Sequence, residues 1–297
     1  MHFRARTPVL LPVLILTCLA ASKPLCSRSS NGGPGEPVEL FNGRDLSGFY
    51  TWLADSGYSD PDRVFTVVDQ IDGSPAIRVS GERWGGIITR QEFSDYHLVV
   101  EFRWGLLTWG ERKSRTKDSG ILLHCQGPDG NTAKDFKGPW MKSIECQIIQ
   151  GGVGDIILVD GYDPTGNHAG PSLTVTASRD RDGEDVYDPK VPAREFRRGR
   201  INWFGRDPDW DDVLGFRGKQ DVESPDGQWT RVEVICQGDR ITNIVNGTTV
   251  NVATRSTLQK GKILLQSEGA EIFFRKVTLT RRRPGDSDPS AAPLGRA

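Results

Sequence analysis

Short runs in which apolar and polar side chains alternate recur along most of the chain, and no stretch has the periodicity of an amphipathic helix. The runs are 97–104 (HLVVEFRW), 119–125 (SGILLHC), 143–150 (SIECQIIQ), 229–237 (WTRVEVICQ), 262–267 (KILLQS) and 271–279 (EIFFRKVTL). Alternation of period two in segments rich in Val, Ile and Phe is typical of β-strands. Many such strands separated by Gly, Asp and Asn turns predict an all-β protein, an antiparallel sandwich or barrel.

The two ends of the chain depart from this pattern. Arg4 and Arg6 precede an apolar run at 9–21, followed by small residues, which is typical of a secretory signal peptide. We expect a signal peptide at 1–26, a flexible linker at 27–37, the folded domain at 38–281 and a disordered tail at 282–297. The mature protein would then be exported, periplasmic or extracellular, without a stable membrane span. A retained anchor, or a lipid on Cys18 or Cys26, is the alternative.

Composition argues against two kinds of partner. The chain has 38 basic and 39 acidic residues and a net charge of −1, so it offers no basic surface for nucleic acid or an anionic membrane. Its five cysteines include no C-x-x-C pair, which argues against a zinc ribbon. An oxidising compartment would allow a disulfide among Cys125, Cys146 and Cys236, and the sequence leaves their state open.

The alternation also sorts side chains between the two faces of each strand, because successive residues point to opposite sides. The apolar sets predict a core that contains Ile121, Leu123, Ile144, Ile148, Ile263 and Leu265. If the strands share one sheet, its other face carries Arg103, His124, Glu145, Gln147, Gln266 and Glu268. Such a face is either simply solvated or, if loops cover it, a binding site.

A long polar segment at 179–226 interrupts the strand pattern. It contains Trp203, Phe204, Trp210 and Phe216, which is too many aromatic residues for a disordered linker. Long irregular excursions in a domain are often functional. We expect these aromatic residues to pack as one cluster that covers or borders the polar face.

Five blocks of the sequence resemble, in order, the 3-keto-disaccharide hydrolase family. They are VELFNGRDLSGFYTW, DSGILLHCQGPDG, WMKSIECQIIQGGVGDIILVDG, GQWTRVEVICQGDRITNIVNG and GKILLQSEGAEIFFRKVTL, and together they cover about 38–279. The resemblance implies a concanavalin A-like jelly-roll sandwich of two antiparallel sheets. It also implies a sugar ligand and cleavage of a glycoside already oxidised at C3. The C3 ketone acidifies the C2 hydrogen, a base removes it, and the group at C1 leaves.

The chemistry that the resemblance implies can be assigned to candidate residues. Glu145 and His124 are the expected base and acid. Gln147, Gln266, Glu268, Arg103 and Trp203 are the expected sugar-binding residues, although Glu268 stands where the family often has histidine. No cofactor is assigned, and a divalent metal held by His124 and Glu145 remains an option.

Two other functions remain open at this stage. Sandwich glucanases carry paired carboxylates as E-x-D-x-x-E on one strand, whereas the corresponding positions after Glu145 are Gln147 and Gln150. This replacement argues against an ordinary glycoside hydrolase. A non-catalytic, lectin-like carbohydrate-binding module is the other alternative, since Gln, Asn and Trp suit sugar recognition.

Overall fold

The fold was obtained as a computed structural model that describes residues 35–283 and 285–286. The strands are β1 (Pro37–Glu39), β2 (Phe49–Leu53), β3 (Phe65–Ile71), β4 (Ser74–Val79), β5 (Gly85–Thr89), β6 (Tyr96–Thr108), β7 (Asp118–Gln126), β8 (Lys142–Ile149), β9 (Ile156–Val159), β10 (Leu173–Arg179), β11 (Asp185–Tyr187), β12 (Ala193–Phe196), β13 (Gly199–Ile201), β14 (Thr230–Gln237), β15 (Arg240–Val245), β16 (Thr248–Thr254), β17 (Lys262–Ser267) and β18 (Ala270–Arg281). A 3₁₀ turn covers Gly110–Lys113, and the described residues form no α-helix.

The strands form two sheets with antiparallel pairing. The larger sheet has the order β11-β10-β16-β15-β14-β6-β18-β4-β3, with β1 on β18 and β12 on β10. The smaller sheet has the order β13-β9-β8-β7-β17-β5-β2. The predicted jelly-roll sandwich of two antiparallel sheets is confirmed. The predicted signal peptide and most of the predicted linker and tail lie outside the described residues. No helix within 35–283 or 285–286 is long and apolar enough to span a membrane.

The core lies between the two sheets. Ile121, Leu123, Ile144, Ile148, Ile263 and Leu265 are all at most 1% exposed and belong to one apolar cluster that both sheets contribute to. The predicted core is therefore confirmed at these positions. A second, smaller apolar cluster lies on the opposite face of the smaller sheet and consists of Ile88, Leu122, Cys125, Met141 and Leu264, partly covered by Tyr50, Trp52 and Trp140.

A β-bulge in β7 reverses the orientation predicted for His124. Relative to both neighbouring strands, β7 has one extra residue between Leu122 and Gln126, and His124 adopts φ 54°. A bulge of this kind changes which face the following side chains occupy. Cys125 therefore joins the small outer cluster with Leu122, whereas the ring of His124 packs against Tyr96 of the core, 5.5 Å between centroids. The three described cysteines 125, 146 and 236 are free thiols.

Candidate functional site

Strand register brings five polar side chains together on the outer face of the smaller sheet. On β7 and β8, Asp118 pairs with Ile149, Gly120 with Gln147 and Leu122 with Glu145. On the other side of β7, Leu264 pairs with Leu122, so Gln266 and Glu268 continue beside Gly120 and Asp118. We call this region the carboxyl face; its polar members are Asp118, Glu145, Gln147, Gln266 and Glu268. Each is at most 9% exposed.

Glu145 reaches across the neighbouring strand over Gly120. A Cβ atom added to Gly120 would lie 2.0 Å from Oε1 of Glu145 and 2.6 Å from Oε1 of Gln266, so only glycine leaves room for the two side chains. Oε1 of Glu145 is buried without a hydrogen-bond partner. Burial raises the pKa of Glu145 to about 8; Asp118 adds to the rise, and Arg200 and a hydrogen bond from Gln266 oppose it. This carboxyl group can therefore exchange a proton near neutral pH.

Arg112 links the other two carboxyl groups. Its Nη2 donates to Oδ2 of Asp118 at 2.5 Å and to Oε1 of Glu268 at 3.2 Å. Burial raises the pKa of Asp118 to about 6 despite Arg112. Burial, together with Asp118 and Glu145, raises the pKa of Glu268 well above its usual range. Both carboxyl groups contact Arg112, and burial together with the neighbouring carboxyl groups favours the protonated form of Glu268.

A second arginine approaches the carboxyl face from the edge strand β13. Arg200 pairs with Ile157 of β9, which in turn pairs with Glu145, so the three residues lie in one row. Its Nε donates to Oδ2 of Asp155 at 2.8 Å, and its Nη2 is buried without a partner. Asp155 also accepts from Nη1 of Arg206 at 2.5 Å and from the backbone N–H of Trp203 at 2.7 Å. This fixed guanidinium is a cation with a free donor next to Glu145.

Three of the residues predicted for the site lie elsewhere. His124 donates from Nδ1 to the backbone carbonyl of Leu258, and burial lowers its pKa to about 4; it faces the core, so the predicted His124–Glu145 pair is wrong. Arg103 belongs to β6 of the larger sheet, where it pairs with Asp72. Trp203 is 1% exposed and part of the core, so it offers no surface to a sugar.

The separation of His124 from Glu145 also removes the metal site suggested for that pair. A metal site needs at least three His, Cys, Asp or Glu ligand atoms close to one another. In the described part of the chain, only Asp180, Asp182 and Glu184, which are partly or fully exposed, form such a group, with their ligand atoms within 4.8 Å of one another. The carboxyl face does not have that spacing. Its members are carboxyl and amide groups with two arginines beside them, a set that is suited to proton transfer.

The long segment at 179–226 borders the carboxyl face at its Arg112 end. Asp212 accepts from the hydroxyl of Thr116 at 2.5 Å and lies 3.7 Å from Arg112. Trp210 and Phe216 pack together near Gly151. Trp203 and Phe204 form a separate pair. The prediction that all four aromatic residues form one cluster is wrong, because Trp203 is taken into the core.

Three residues of the site, Asp118, Arg112 and Arg200, were not predicted from the sequence. Asp118 could have been predicted from the alternation. It lies one residue before the predicted start of the strand, and it is separated from Gly120 and Leu122 by even numbers of residues, so its side chain is expected on the same face. Arg112 lies in a 3₁₀ turn, and Arg200 lies in a three-residue strand inside an irregular segment. Alternation cannot identify residues in elements that short.

These features define an antiparallel β-sandwich with buried acid–base groups on one sheet face. The 3-keto-alpha-glucoside-1,2-lyase-like domain family matches residues 36–280, and the chain belongs to this family. The suspected family is thereby confirmed, and the chain is a carbohydrate-active protein. No curated protein matches the chain.

Solved structures with a similar fold are only distantly related in sequence. A Parabacteroides distasonis protein provisionally classed as a glycosyl hydrolase is 16% identical, with 83% of this chain and 94% of that chain covered and a TM-score of 0.45. The Bacillus licheniformis β-glucanase is 11% identical, with 86% and 100% covered and a TM-score of 0.40. A carbohydrate binding module from Bacillus subtilis is 12% identical, with 78% and 95% covered and a TM-score of 0.38.

Proposed function

We propose that this protein is an exported enzyme that cleaves 3-keto-α-glucosides by elimination across C1 and C2, with the carboxyl face as its active site. The observation that carries the proposal is the carboxyl group of Glu145, buried over Gly120 with an unpartnered oxygen. A carboxyl group with a pKa of about 8 is suited to general base catalysis near neutral pH. Membership of the family supplies the substrate class.

The elimination needs a base, an acid and a donor for the developing enolate. Glu145 removes the proton from C2, and the electron pair of the broken C–H bond forms the C2–C3 double bond of an enolate. The negative charge that develops is delocalised onto the C3 oxygen, where Nη2 of Arg200 is the free donor. The C3 carbonyl then re-forms, and its electron pair makes the C1–C2 double bond as the C1–O bond breaks. Protonated Glu268 delivers its proton to the departing oxygen. Gln147 and Gln266 are placed to bind sugar hydroxyl groups.

The products of this step are an unsaturated 3-keto sugar and the free alcohol. Addition of water across the C1–C2 double bond would return a proton to C2 and place a hydroxyl group on C1, which gives net hydrolysis. The same residues can serve this second step in reverse roles, because Glu145 is protonated after the first.

The direct test is turnover of paired substrates by the purified protein. We expect release of the alcohol from a 3-keto-α-glucoside and none from the same glucoside before oxidation. Glu145→Gln should abolish turnover while the fold and sugar binding persist. Glu223→Gln is the matched control. Glu223 is also buried, with a pKa of about 8, but it lies away from the carboxyl face and accepts a hydrogen bond from Nε1 of Trp104 in the larger sheet.

The outcomes separate the three candidate functions. Cleavage of the unoxidised glucoside would indicate an ordinary glycoside hydrolase. Sugar binding without any turnover would indicate a lectin-like module. Full activity of Glu145→Gln would remove Glu145 from the mechanism.

Export is proposed on the N-terminal sequence alone, Arg4, Arg6 and the apolar run at 9–21. Mass spectrometry of the cellular protein should find a mature N-terminus between about residues 21 and 30. Detection of Met1 on that protein would overturn this part of the proposal.

A further inference from the structure

The guanidinium group of Arg112 joins the carboxyl face to the long segment. Nη2 contacts the carboxyl groups of Asp118 and Glu268. On the other side of the group, Nη1 lies 3.7 Å from Oδ1 of Asp212 and 3.5 Å from the backbone oxygen of Thr116. A guanidinium group is planar and rigid, so the contacts of Nη1 also set the direction in which Nη2 donates.

The aliphatic stem of Arg112 packs against the turn that follows Glu268. A Cβ atom added to Gly269 would lie 2.7 Å from Cγ and 3.4 Å from Cβ of Arg112. The backbone of Gly269 is fixed by hydrogen bonds, since its N–H donates to Gly81 at 3.0 Å and its oxygen accepts from Trp109 at 2.7 Å. The stem is thus held beside Glu268, whereas the orientation of the guanidinium group depends on the contacts of its nitrogens.

Asp212 is itself held in place by a buried residue. Its Oδ1 accepts hydrogen bonds from the hydroxyl of Thr116 at 2.5 Å and from the backbone N–H of Thr116 at 3.1 Å. Thr116 is fully buried and precedes Asp118 by two residues. Arg115 also lies 3.7 Å from Asp212, but it is half exposed and pairs with Glu111 at 2.9 Å, and exposed ion pairs contribute little. The fixed contacts of Asp212 are therefore with residues next to the carboxyl face.

The residues around Asp212 anchor the long segment at the same place. Nε1 of Trp210 donates to the backbone oxygen of Gln150 at 2.9 Å, and the backbone N–H of Gly215 donates to Oε1 of Gln150 at 3.1 Å. The backbone N–H of Leu214 donates to the backbone oxygen of Ser114 at 3.0 Å. Gln150 is fully buried and directly follows β8. These bonds dock the long segment beside the carboxyl face.

We propose that Asp212 is a positioning residue for the acid of the elimination. Asp212 orients the guanidinium group of Arg112, and Arg112 in turn holds the carboxyl group of Glu268 where it meets the departing oxygen. The inference rests on the proposed function, because Glu268 acts as an acid only in that reaction. The long segment then takes part in catalysis through the carboxylate of Asp212.

The test compares two leaving groups. Methoxide is a poor leaving group, so methyl 3-keto-α-glucoside needs a proton from Glu268, whereas 4-nitrophenyl 3-keto-α-glucoside releases a stable phenolate without one. Asp212→Ala should lower kcat for the methyl glucoside about tenfold or more, because general acids contribute about 100-fold or more and a misplaced acid retains only part of this. The same variant should leave kcat for the nitrophenyl glucoside nearly unchanged. A general loss of stability would affect both substrates alike.

Two further variants separate positioning from folding. Asp212→Asn keeps an acceptor for Thr116 and removes the charge that faces Arg112, so it decides the comparison if Asp212→Ala does not fold. Its loss should also be confined to the methyl glucoside. Asp212→Asn combined with Glu268→Gln should be no slower on that substrate than Glu268→Gln alone, because both changes act on one proton transfer.

Asp209→Ala is the matched control from the same segment. Asp209 is exposed and contacts Arg181 and Lys219. Exposed ion pairs contribute little, so this variant should leave both rates unchanged. Circular dichroism should show that each variant compared is folded.

Each outcome supports or overturns the inference. A loss that is confined to the methyl glucoside in Asp212→Asn and absent in Asp209→Ala supports it. Equal losses on both glucosides in folded Asp212→Asn, or no loss on either, would overturn it while the proposed function stands. If the wild type cleaves neither glucoside, the proposed function fails, and the role of Asp212 fails with it.

Discussion

Oε1 of Glu145 occupies the space that a Cβ atom on Gly120 would need, at 2.0 Å. The absence of a side chain at Gly120 therefore fixes where the Glu145 carboxyl group lies. Gly120 does not have a positive φ angle, so alanine suits the backbone of β7 and the effect of the substitution falls on its neighbours.

Gly120→Ala should lower kcat/KM on a 3-keto-glucoside about 100-fold, because displacement of a catalytic group by about 1 Å can cost that much. Circular dichroism and the melting temperature should show a folded protein. The double variant Gly120→Ala with Glu145→Gln should be no worse than Glu145→Gln alone, because both changes act on one carboxyl group. Additive losses would mean that Gly120 acts independently of Glu145.

The pH dependence of kcat/KM should follow the raised pKa of Glu145. A base works only when ionised, and burial holds the pKa of Glu145 at about 8. Activity should therefore rise as the pH increases through about 8, where Glu145 becomes ionised. Glu223→Gln should leave this profile unchanged. A rate that decreases steadily between pH 6.5 and 8 would make Glu145 an acid in the rate-determining step.

Substitution of His124 tests whether it is the catalytic acid, as predicted from the sequence, or a core residue, as the structure indicates. Asparagine tolerates the left-handed conformation that His124 adopts with φ 54°. His124→Asn should keep kcat within about twofold for folded protein, because the ring faces Tyr96 and not the carboxyl face. Its stability should fall by about 1–3 kcal/mol through the lost core contacts. A loss of turnover as complete as that of Glu145→Gln would restore His124 as the acid.

Asp155 should be important for stability as well as for the site. Its side chain is fully buried and accepts from both Arg200 and Arg206. Asp155→Asn leaves two guanidinium groups without their counter-ion, and we expect a loss of about 3–5 kcal/mol in denaturant unfolding.

Asp185→Asn is the matched comparison for this measurement. Asp185 also contacts two arginines, Arg179 and Arg194, but on the surface, where ion pairs contribute about 0–1 kcal/mol. If both variants lose a similar free energy of unfolding, the contribution of Asp155 to stability does not come from the burial of its ion pairs.

The sequence predicted the sheets and part of the site where the strands are regular. Alternation placed Glu145, Gln147, Gln266 and Glu268 on one face, because β8 and β17 contain no bulge at those positions. It failed at His124, since an extra residue in β7 leaves no mark in the run Leu122-Leu123-His124-Cys125. Arg103 shows a second limit: alternation gives the face of a strand, but not which of the two sheets the strand joins.

The remaining errors concern residues outside long strands. Trp203 was expected at the surface of an irregular segment, but its backbone N–H is bound by Asp155 and its ring enters the core. Arg112 and Arg200 come from a 3₁₀ turn and a three-residue strand. Their positions depend on tertiary ion pairs, which the local sequence does not encode.

The position of Arg200 on β13 has a consequence for how the protein is inactivated. β13 has three residues, lies at the edge of the smaller sheet and pairs there with β9. Short edge elements open locally at a lower free energy than the central strands, so heating should detach this cation before β7, β8 and β17 separate. Catalytic half-life would then be governed by a local opening of one sheet edge, with most of the sandwich still folded.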